Sequence, residues 1–514
     1  MAIKTYTNPI IKGFYPDPSI CKRGNDYFLV NSSFGYTPGI PLFHSTDLVN
    51  WTQIGNCLEN ESAVDLTGSP SSGGIFAPTI RYHEGMFYVI VTNAATRENF
   101  FIRSSNPYEG WSVPILVPEW GGIDPSLFFD DDGKVYIQGT ENFFTDEVSG
   151  IYQAQIDLEN GNLLSERKLI CAGTGGASPE GPHIYKLNGY YYLLLAEGGT
   201  EYAHMVTLFR SQDVNGPYMP YKDNPILSNR SIENTLQCIG HADLIVDQNN
   251  RPWIVCLGVR AQRGHSKYHH LGRETMLVPL KWDEEGWPTF INSRAVNTVM
   301  EGMLTNEQQE KNNSFNIDFT QTNMIPKNWV YLRNPVFENY SFTSRGLALN
   351  NATNSLSTDD SITFVGFRQT EFNTNLSINL AINQSATGDS ESGLTVYMSK
   401  RFHYDLGIVK EQGDYYLIFR RTIGYLDTII KKVPINSTDN IALKLISDST
   451  DYKFGALING NMIDMGIAES LFLAPEVTNT FTGVMYGLYA TELQKLIPEQ
   501  NLCDIQNVSY SEWT

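Results

Sequence analysis

One short pattern returns five times in the first half of this chain, and a chain that repeats one β-unit five times has few ways to fold. The copies open at Asp17-Pro-Ser-Ile, Ala77-Pro-Thr-Ile, Asp124-Pro-Ser-Leu, Gly181-Pro-His-Ile and His241-Ala-Asp-Leu. Each reaches a turn (Arg23-Gly-Asn, His83-Glu-Gly, Asp131-Asp-Gly, Leu187-Asn-Gly, Gln248-Asn-Asn) and then a β-branched and aromatic run such as Tyr27-Phe-Leu-Val or Pro252-Trp-Ile-Val. Two such runs around a Gly- or Asn-bearing turn make a β-hairpin. Starts at 17, 77, 124, 181 and 241 leave room for about four short strands per unit, the blade of a β-propeller. Five units predict five blades. A weaker echo at 44–51, 103–111 and 210–218 follows the first, second and fourth hairpins and reads as the outer strand and corner of those blades.

The first strand of each blade lines the central axis, so equal positions in the repeat converge at one end of the tunnel. Asp17 and Asp124 occupy such positions; Glu180 stands one residue ahead of its repeat start. A lone Asp before Pro is a turn former, whereas three carboxylates nearly in register point to a shared mouth. Held close together they cannot all keep ordinary pKa values, because repulsion and burial raise at least one. A protonated acid beside an ionised base is what glycosidic bond hydrolysis requires. Blade two offers Phe76-Ala77 at the corresponding place and blade five offers His241. Phe14, Tyr15, Phe34, Tyr36 and Phe76 are candidate apolar walls against sugar faces, although in a chain that is 12% aromatic any one of them alone is better explained as core.

At 514 residues the chain exceeds a single domain, and the polar stretch 305–314 separates the repeats (1–304) from a region without them (315–514). That region alternates strand-like runs, for instance 376–382, 393–398, 415–420, 441–446 and 452–458, with turn clusters and no helical period. This predicts a two-sheet sandwich, and an all-β protein throughout. A formal charge of −20 disfavours nucleic acid and anionic membranes as partners and suits a neutral substrate. The longest apolar run, Tyr190 to Ala196, is a strand too short to span a bilayer. The N-terminus shows no apolar signal core, and the six cysteines show no zinc or CxxC spacing, so reduced thiols and a cytoplasmic location are expected. Gly173-Thr-Gly-Gly176 reads as a loop before Glu180 rather than a phosphate cradle, and Asp130-Asp-Asp-Gly133 as a turn tip rather than a calcium loop.

Four motifs in order, Thr7-Asn-Pro-Ile-Ile-Lys-Gly-Phe-Tyr-Pro-Asp17-Pro, Ser72-Gly-Gly-Ile-Phe-Ala-Pro78, Gly122-Ile-Asp124-Pro-Ser-Leu-Phe-Phe, and the run from Glu180-Gly-Pro-His to Thr200, resemble glycoside hydrolase family 43. The likeness is to its β-xylosidase and α-L-arabinofuranosidase branch, which joins a five-bladed propeller to a concanavalin-like jelly-roll sandwich. It implies an exo-acting, inverting hydrolase of terminal pentoses on oligosaccharides. It also implies Asp17 as general base, Glu180 as general acid and Asp124 as the carboxylate that tunes and orients the acid. Arg273 would contact the terminal sugar and Phe34 would pack on it. Phe76 would stand in the sugar-binding mouth, and Phe481 would reach that mouth on a sandwich loop. The resemblance implies no required cofactor, allows a calcium ion in the tunnel at His241, and is compatible with a homo-oligomer. Relatives that are xylosidases commonly have Trp where this chain has Phe76 and Ser-Phe-Glu where it has Ser33-Phe-Gly. These departures shift the expectation toward α-L-arabinofuranosidase, with β-1,4-xylosidase as the alternative. Two rivals are a retaining fructan- or sucrose-type hydrolase, whose Asn-Asp-Pro-Asn opening is missing, and a non-catalytic carbohydrate-binding propeller.

Overall fold

A computed structural model describes residues 2–59, 64–141, 149–262, 267–493 and 501–513. The five hairpins predicted from the repeat are the two inner strands of five consecutive four-stranded antiparallel sheets. The innermost strands are Ser19–Arg23, Thr79–His83, Ile123–Phe129, Glu180–Leu187 and Leu236–Val246. Their turns follow the residues that permit them: Glu84 and Gly85 have φ of 46° and 86°, Asn188 and Gly189 of 50° and 80°. Two successive positive φ values are the signature of the type I′ turn, whose twist matches that of the flanking strands. The weaker echo proves to be the corner between third and fourth strands, as between Gly39–Ser45 and Thr52–Leu58. There Asp47 accepts the backbone N–H of Asn50 at 2.8 Å and Trp51 is fully buried.

Blades stack through their faces, and five apolar clusters make the ring. Phe28, Val30, Phe87 and Val89 join blades one and two, and Ile90, Phe101, Leu127 and Ile137 join two and three. Phe128, Tyr136, Ile184 and Leu193 follow, then Leu194, Leu208, Leu244 and Ile254. The ring closes with Val255 and Leu277 of blade five against Ile20 and Leu29 of blade one. Its ends are tied by Ala2–Thr7 pairing antiparallel with Val299–Leu304, and by the Asn8 amide exchanging hydrogen bonds with Leu277.

Beyond the connector, two eight-stranded antiparallel sheets enclose one apolar core. The alternation read from sequence is that of Thr374–Ile382, whose Leu376, Ile378 and Leu380 face Leu394, Val396 and Leu406 of the opposite sheet. One of these sheets borrows its last strand from the propeller. Tyr36–Thr37 pairs with Val330–Leu332, Leu332 opposite Tyr36. This corrects part of the aromatic reading. Tyr36 and Phe14 lie in a buried cluster at the domain junction, and Tyr15 lies under the Arg368 guanidinium, 4.3 Å from its ring. They are core because the strand after Phe34 enters the sandwich and carries its neighbours inward.

Candidate active site

The repeat start encodes a backbone conformation as well as a side chain. Asp17, Asp124, Gly181 and His241 all have positive φ, of 52°, 51°, 57° and 46°. The inner strands of blades three, four and five shift register at these positions, between 123 and 126, 180 and 183, and 240 and 243. A bulge of this kind turns a side chain out of the ladder and toward the axis. For Asp and His it costs about 1–2 kcal/mol of backbone strain, a cost that folds retain chiefly at functional sites. Blade four places glycine at this position because a Cβ there would lie 3.0 Å from the His241 ring. Its carboxylate moves to the preceding residue, which accounts for the one-residue offset of Glu180 in the sequence.

The eight residues given a place in the site by the family resemblance meet in one cavity of about 90 Å³: Asp17, Asp124, Glu180, Phe34, Phe76, Arg273, His241 and Phe481. Ala77, Ile123 and Thr200 complete its wall. A larger hollow of about 810 Å³ lies among the N-terminal strand, the 308–313 connector and the sandwich, and contains none of the three carboxylates. In the smaller cavity Arg273 Nη1 donates to Asp17 Oδ1 at 2.8 Å and to Thr200 Oγ1 at 3.0 Å. Ser32 Oγ donates to Asp17 Oδ2 at 2.6 Å, and the Gly181 N–H donates to Asp124 Oδ2 at 3.2 Å. Phe34 and Phe76 pack with centroids 5.4 Å apart, and the Arg273 guanidinium stands 5.5 Å from Phe34 and 6.0 Å from Phe481.

These contacts drive the carboxyl groups in opposite directions. Burial works to raise Asp17, but Arg273, His241 and the Ser32 hydroxyl together hold it below the usual carboxylate range. Glu180 is pushed well above that range by burial first, then by the charges of Asp124 and Asp17. Asp124 is raised by burial and by Asp17, against the pull of His241 and of the Gly181 N–H. The cavity thus holds an ionised carboxylate and a proton-loaded one together, the arrangement an acid–base hydrolysis needs.

Two residues further along each repeat, the same face of the inner strand points deeper into the tunnel. Asp243 Oδ2 there accepts Ser19 Oγ at 2.6 Å, the Ile20 N–H at 3.0 Å and Arg81 Nη1 at 2.8 Å. Arg81 Nη2 lies 2.9 Å from His183 Nδ1, and the Tyr185 hydroxyl donates to Asp243. Burial pushes His183 down to about 3, so it is neutral, and Arg81 is the cation of the axis. Calcium takes about six to eight oxygen ligands. Asp17 and Asp124, the carboxylates that interact with His241, already accept from Arg273 and Ser32 and from the Gly181 N–H respectively. No group of three or more His, Cys, Asp or Glu able to hold a metal occurs among the described residues. Ser32, Thr200 and the Arg81–Asp243–His183 hub were missed in the sequence reading, although Ser19, Ser126, His183 and Asp243 share one repeat position that would have marked the tunnel. In the glycine loop 173–176 the Thr174 and Gly176 N–H groups donate to buried Glu197.

Residues 6–288 match the family model for glycosyl hydrolases family 43, and residues 316–511 match the β-xylosidase C-terminal concanavalin A-like domain. The chain belongs to glycosyl hydrolases family 43. This glycoside hydrolase is 37% identical over 505 residues to a non-reducing-end α-L-arabinofuranosidase of Bacteroides ovatus, covering 96% of this chain and 92% of that one. It is 34% identical over 530 residues to a xylosidase/arabinosidase of Butyrivibrio fibrisolvens, covering 98% and 99%. Among solved structures, a family 43 protein from a xyloglucan locus of Bacteroides ovatus superposes with a TM-score of 0.91 at 35% identity, over 99% of this chain and 100% of that one. A xylan β-1,4-xylosidase of Bacillus halodurans gives 0.91 at 29% identity, over 98% and 100%.

Proposed function

We propose that this family 43 hydrolase is exo-acting and inverting, and that it releases terminal pentoses from arabinoxylan- or arabinan-derived oligosaccharides, with α-L-arabinofuranose preferred over β-D-xylose. The observation that carries this reading is the opposite displacement of Asp17 and Glu180 inside one small cavity. Glu180 gives its proton to the glycosidic oxygen as the bond to the anomeric carbon breaks. Asp17 takes a proton from the water that attacks that carbon from the other face. Asp124 keeps Glu180 protonated by its charge and orients it. Arg273 donates to the sugar's hydroxyl groups and holds Asp17 ionised, while Phe34, Phe76 and Phe481 wall the ring. A cavity of about 90 Å³ suits one terminal sugar rather than a chain running through. The preference for arabinofuranose is supported by Phe76 in the wall and by the Bacteroides ovatus relative. The xylan β-1,4-xylosidase neighbour supports β-1,4-xylosidase as the alternative main activity.

Aryl α-L-arabinofuranoside and aryl β-D-xylopyranoside, assayed side by side, test the preference, and proton NMR of the first product before mutarotation tests the stereochemistry. Inversion is expected. A product with the substrate's own anomeric configuration would transfer Asp17 to the nucleophile role of the retaining enzymes, and mixed internal fragments from arabinan would overturn the exo reading. A calcium ion at His241 would depend on water for its shell; activity and Tm unchanged by chelator would remove it. The six cysteines are free and buried, which supports a reducing, cytoplasmic setting. The exposed edge strand Leu426–Ile435, with Leu426, Ile429 and Ile430, supports self-association, measurable as solution mass.

A further inference from the structure

The roof of the cavity comes from the sandwich, and a carboxylate outside the acid–base chemistry ties it to the propeller. Phe481 follows a single helical turn, Pro475–Thr478, closed by Asn479 at φ 53°. Glu476 in that turn reaches across the domain boundary. Its Oε1 accepts the Tyr202 hydroxyl at 2.8 Å and lies 2.8 Å from His269 Nδ1, and its Oε2 accepts the His269 backbone N–H at 3.3 Å. Both partners sit on the segments that hold Arg273. Tyr202 is two residues after Thr200, the hydroxyl that accepts from Arg273, and His269 stands just ahead of Arg273 in the chain. Further along, the Val484 N–H donates to His270 O at 2.9 Å. Gly483 approaches so closely that a Cβ there would lie 2.3 Å from Leu271 O. The Phe481 carbonyl then accepts from Arg273 Nη2 at 3.4 Å. Behind the Phe481 ring, between Tyr202, Glu476 and Thr480, is a hollow of about 200 Å³. Phe481 is 40% exposed and lines this hollow as well as the cavity.

We propose that Glu476 is a positioning residue for sugar binding: by holding Tyr202 and His269 to the 475–478 turn, it keeps Phe481 over Arg273 and out of the hollow behind. Glu476 touches no reacting atom, and the proposal rests on the reading that Arg273 and Phe481 face the terminal sugar. The full-length protein is assayed with whichever aryl glycoside it turns over, together with Glu476→Ala, Glu476→Gln and Tyr202→Phe. Losing charge-assisted hydrogen bonds in Glu476→Ala is expected to raise KM on the order of tenfold with kcat within about threefold. Amide hydrogen exchange across 475–484 should quicken, with the rest of the sandwich unchanged. Glu476→Gln keeps one amide oxygen, which can accept from Tyr202 or from the His269 N–H but not from both, and should recover part of the lost KM. Tyr202→Phe should fall between the two, and it keeps the test open if the alanine variant fails to fold.

Unchanged exchange at 475–484 in Glu476→Ala would overturn the clamp while leaving the pentosidase reading untouched. Faster exchange with KM within twofold of wild type would overturn the link to the pocket, and with it the place of Phe481 in sugar binding.

Discussion

Replacing Arg273 with Met isolates the contact that keeps Asp17 ionised. The two side chains are 9% and 5% exposed and meet at 2.8 Å. Burial is the largest influence on Asp17 and raises it, and Arg273 is first among the groups that pull it back down. One hydrogen bond to a charged group is worth about 1.5–3 kcal/mol, and about 1.4 kcal/mol is one pKa unit. Losing the bond should therefore raise Asp17 by roughly one to two units, back toward the ordinary carboxylate range. The acid limb of kcat/KM against pH, which reports the free enzyme's base, should move up by the same roughly one to two units. KM should also rise, because Arg273 faces the sugar. Stability provides an independent sign. In the wild type Asp17 is depressed, so its contribution is present above the unfolded pKa and lost as pH falls through the folded value. In Arg273→Met the depression is smaller or gone, so less of that contribution appears as pH rises. The Tm gap between the two proteins should thus be small in acid and widen toward neutral pH. An acid limb that stays in place, with a Tm gap independent of pH, would show that Arg273 does not set the charge of Asp17.

Asp124→Asn removes the nearest charge that raises Glu180, so the basic limb of the profile should move to lower pH; an unmoved limb with a normal rate would make Asp124 structural. Asp243→Ala strips the hub of its acceptor and leaves Arg81 unpaired in the tunnel, which should cost about 3–5 kcal/mol in denaturant unfolding; a loss below about 1 kcal/mol would mean the blades do not depend on it. Asp243 is depressed by Arg81 and His183 despite burial, so the wild-type hub should fail only as pH falls through a value below the ordinary carboxylate range. Gly181→Ala forces a Cβ into a positive-φ site 3.0 Å from His241, at about 1–2 kcal/mol of strain. Its kcat should drop because the bulge that aims Glu180 must shift, and wild-type kcat would refute the shared role of the bulge.

What the sequence made legible follows the repeat. A pattern that returns five times reports the axis directly, because symmetry converts position in the chain into position in space, and Asp17, Asp124 and Glu180 were found that way. The offset of Glu180 was visible but had no cause until the φ of Gly181 and the His241 ring beside it were known. Contacts that obey no repeat were illegible. Tyr36 looks like Phe34 in sequence and shares its buried junction cluster, yet pairing with Val330–Leu332 takes Tyr36 into the sandwich while Phe34 also walls the cavity. Phe481 was reachable only through resemblance, because nothing local marks a loop that must cross a domain boundary. Thr200 and Ser32 carry single hydrogen bonds, for which sequence offers no signal beyond polarity.

The division between repeat and junction has a functional meaning. In the proposed mechanism the proton chemistry resides at the repeat starts, where Asp124 and Glu180 lie in the inner strands of blades three and four and Asp17 stands just ahead of that of blade one. The aromatic walls proposed to face the sugar are fixed elsewhere. Phe34 is held by backbone bonds with Ile75 on one side, and two residues later the chain becomes a strand of the sandwich. Arg333 of the sandwich, 1% exposed, donates its backbone N–H to Gly35 O at 2.7 Å and its Nε to Ser69 O at 2.6 Å, bracing the loops beside Phe34. Phe481 belongs to the sandwich outright. A substitution at the junction can therefore reshape the pocket without moving the acid or the base, whereas the propeller alone would keep its carboxylates and lose both aromatic supports. The sandwich is thus part of the active site's construction, and sugar preference in this chain should respond to changes made in it.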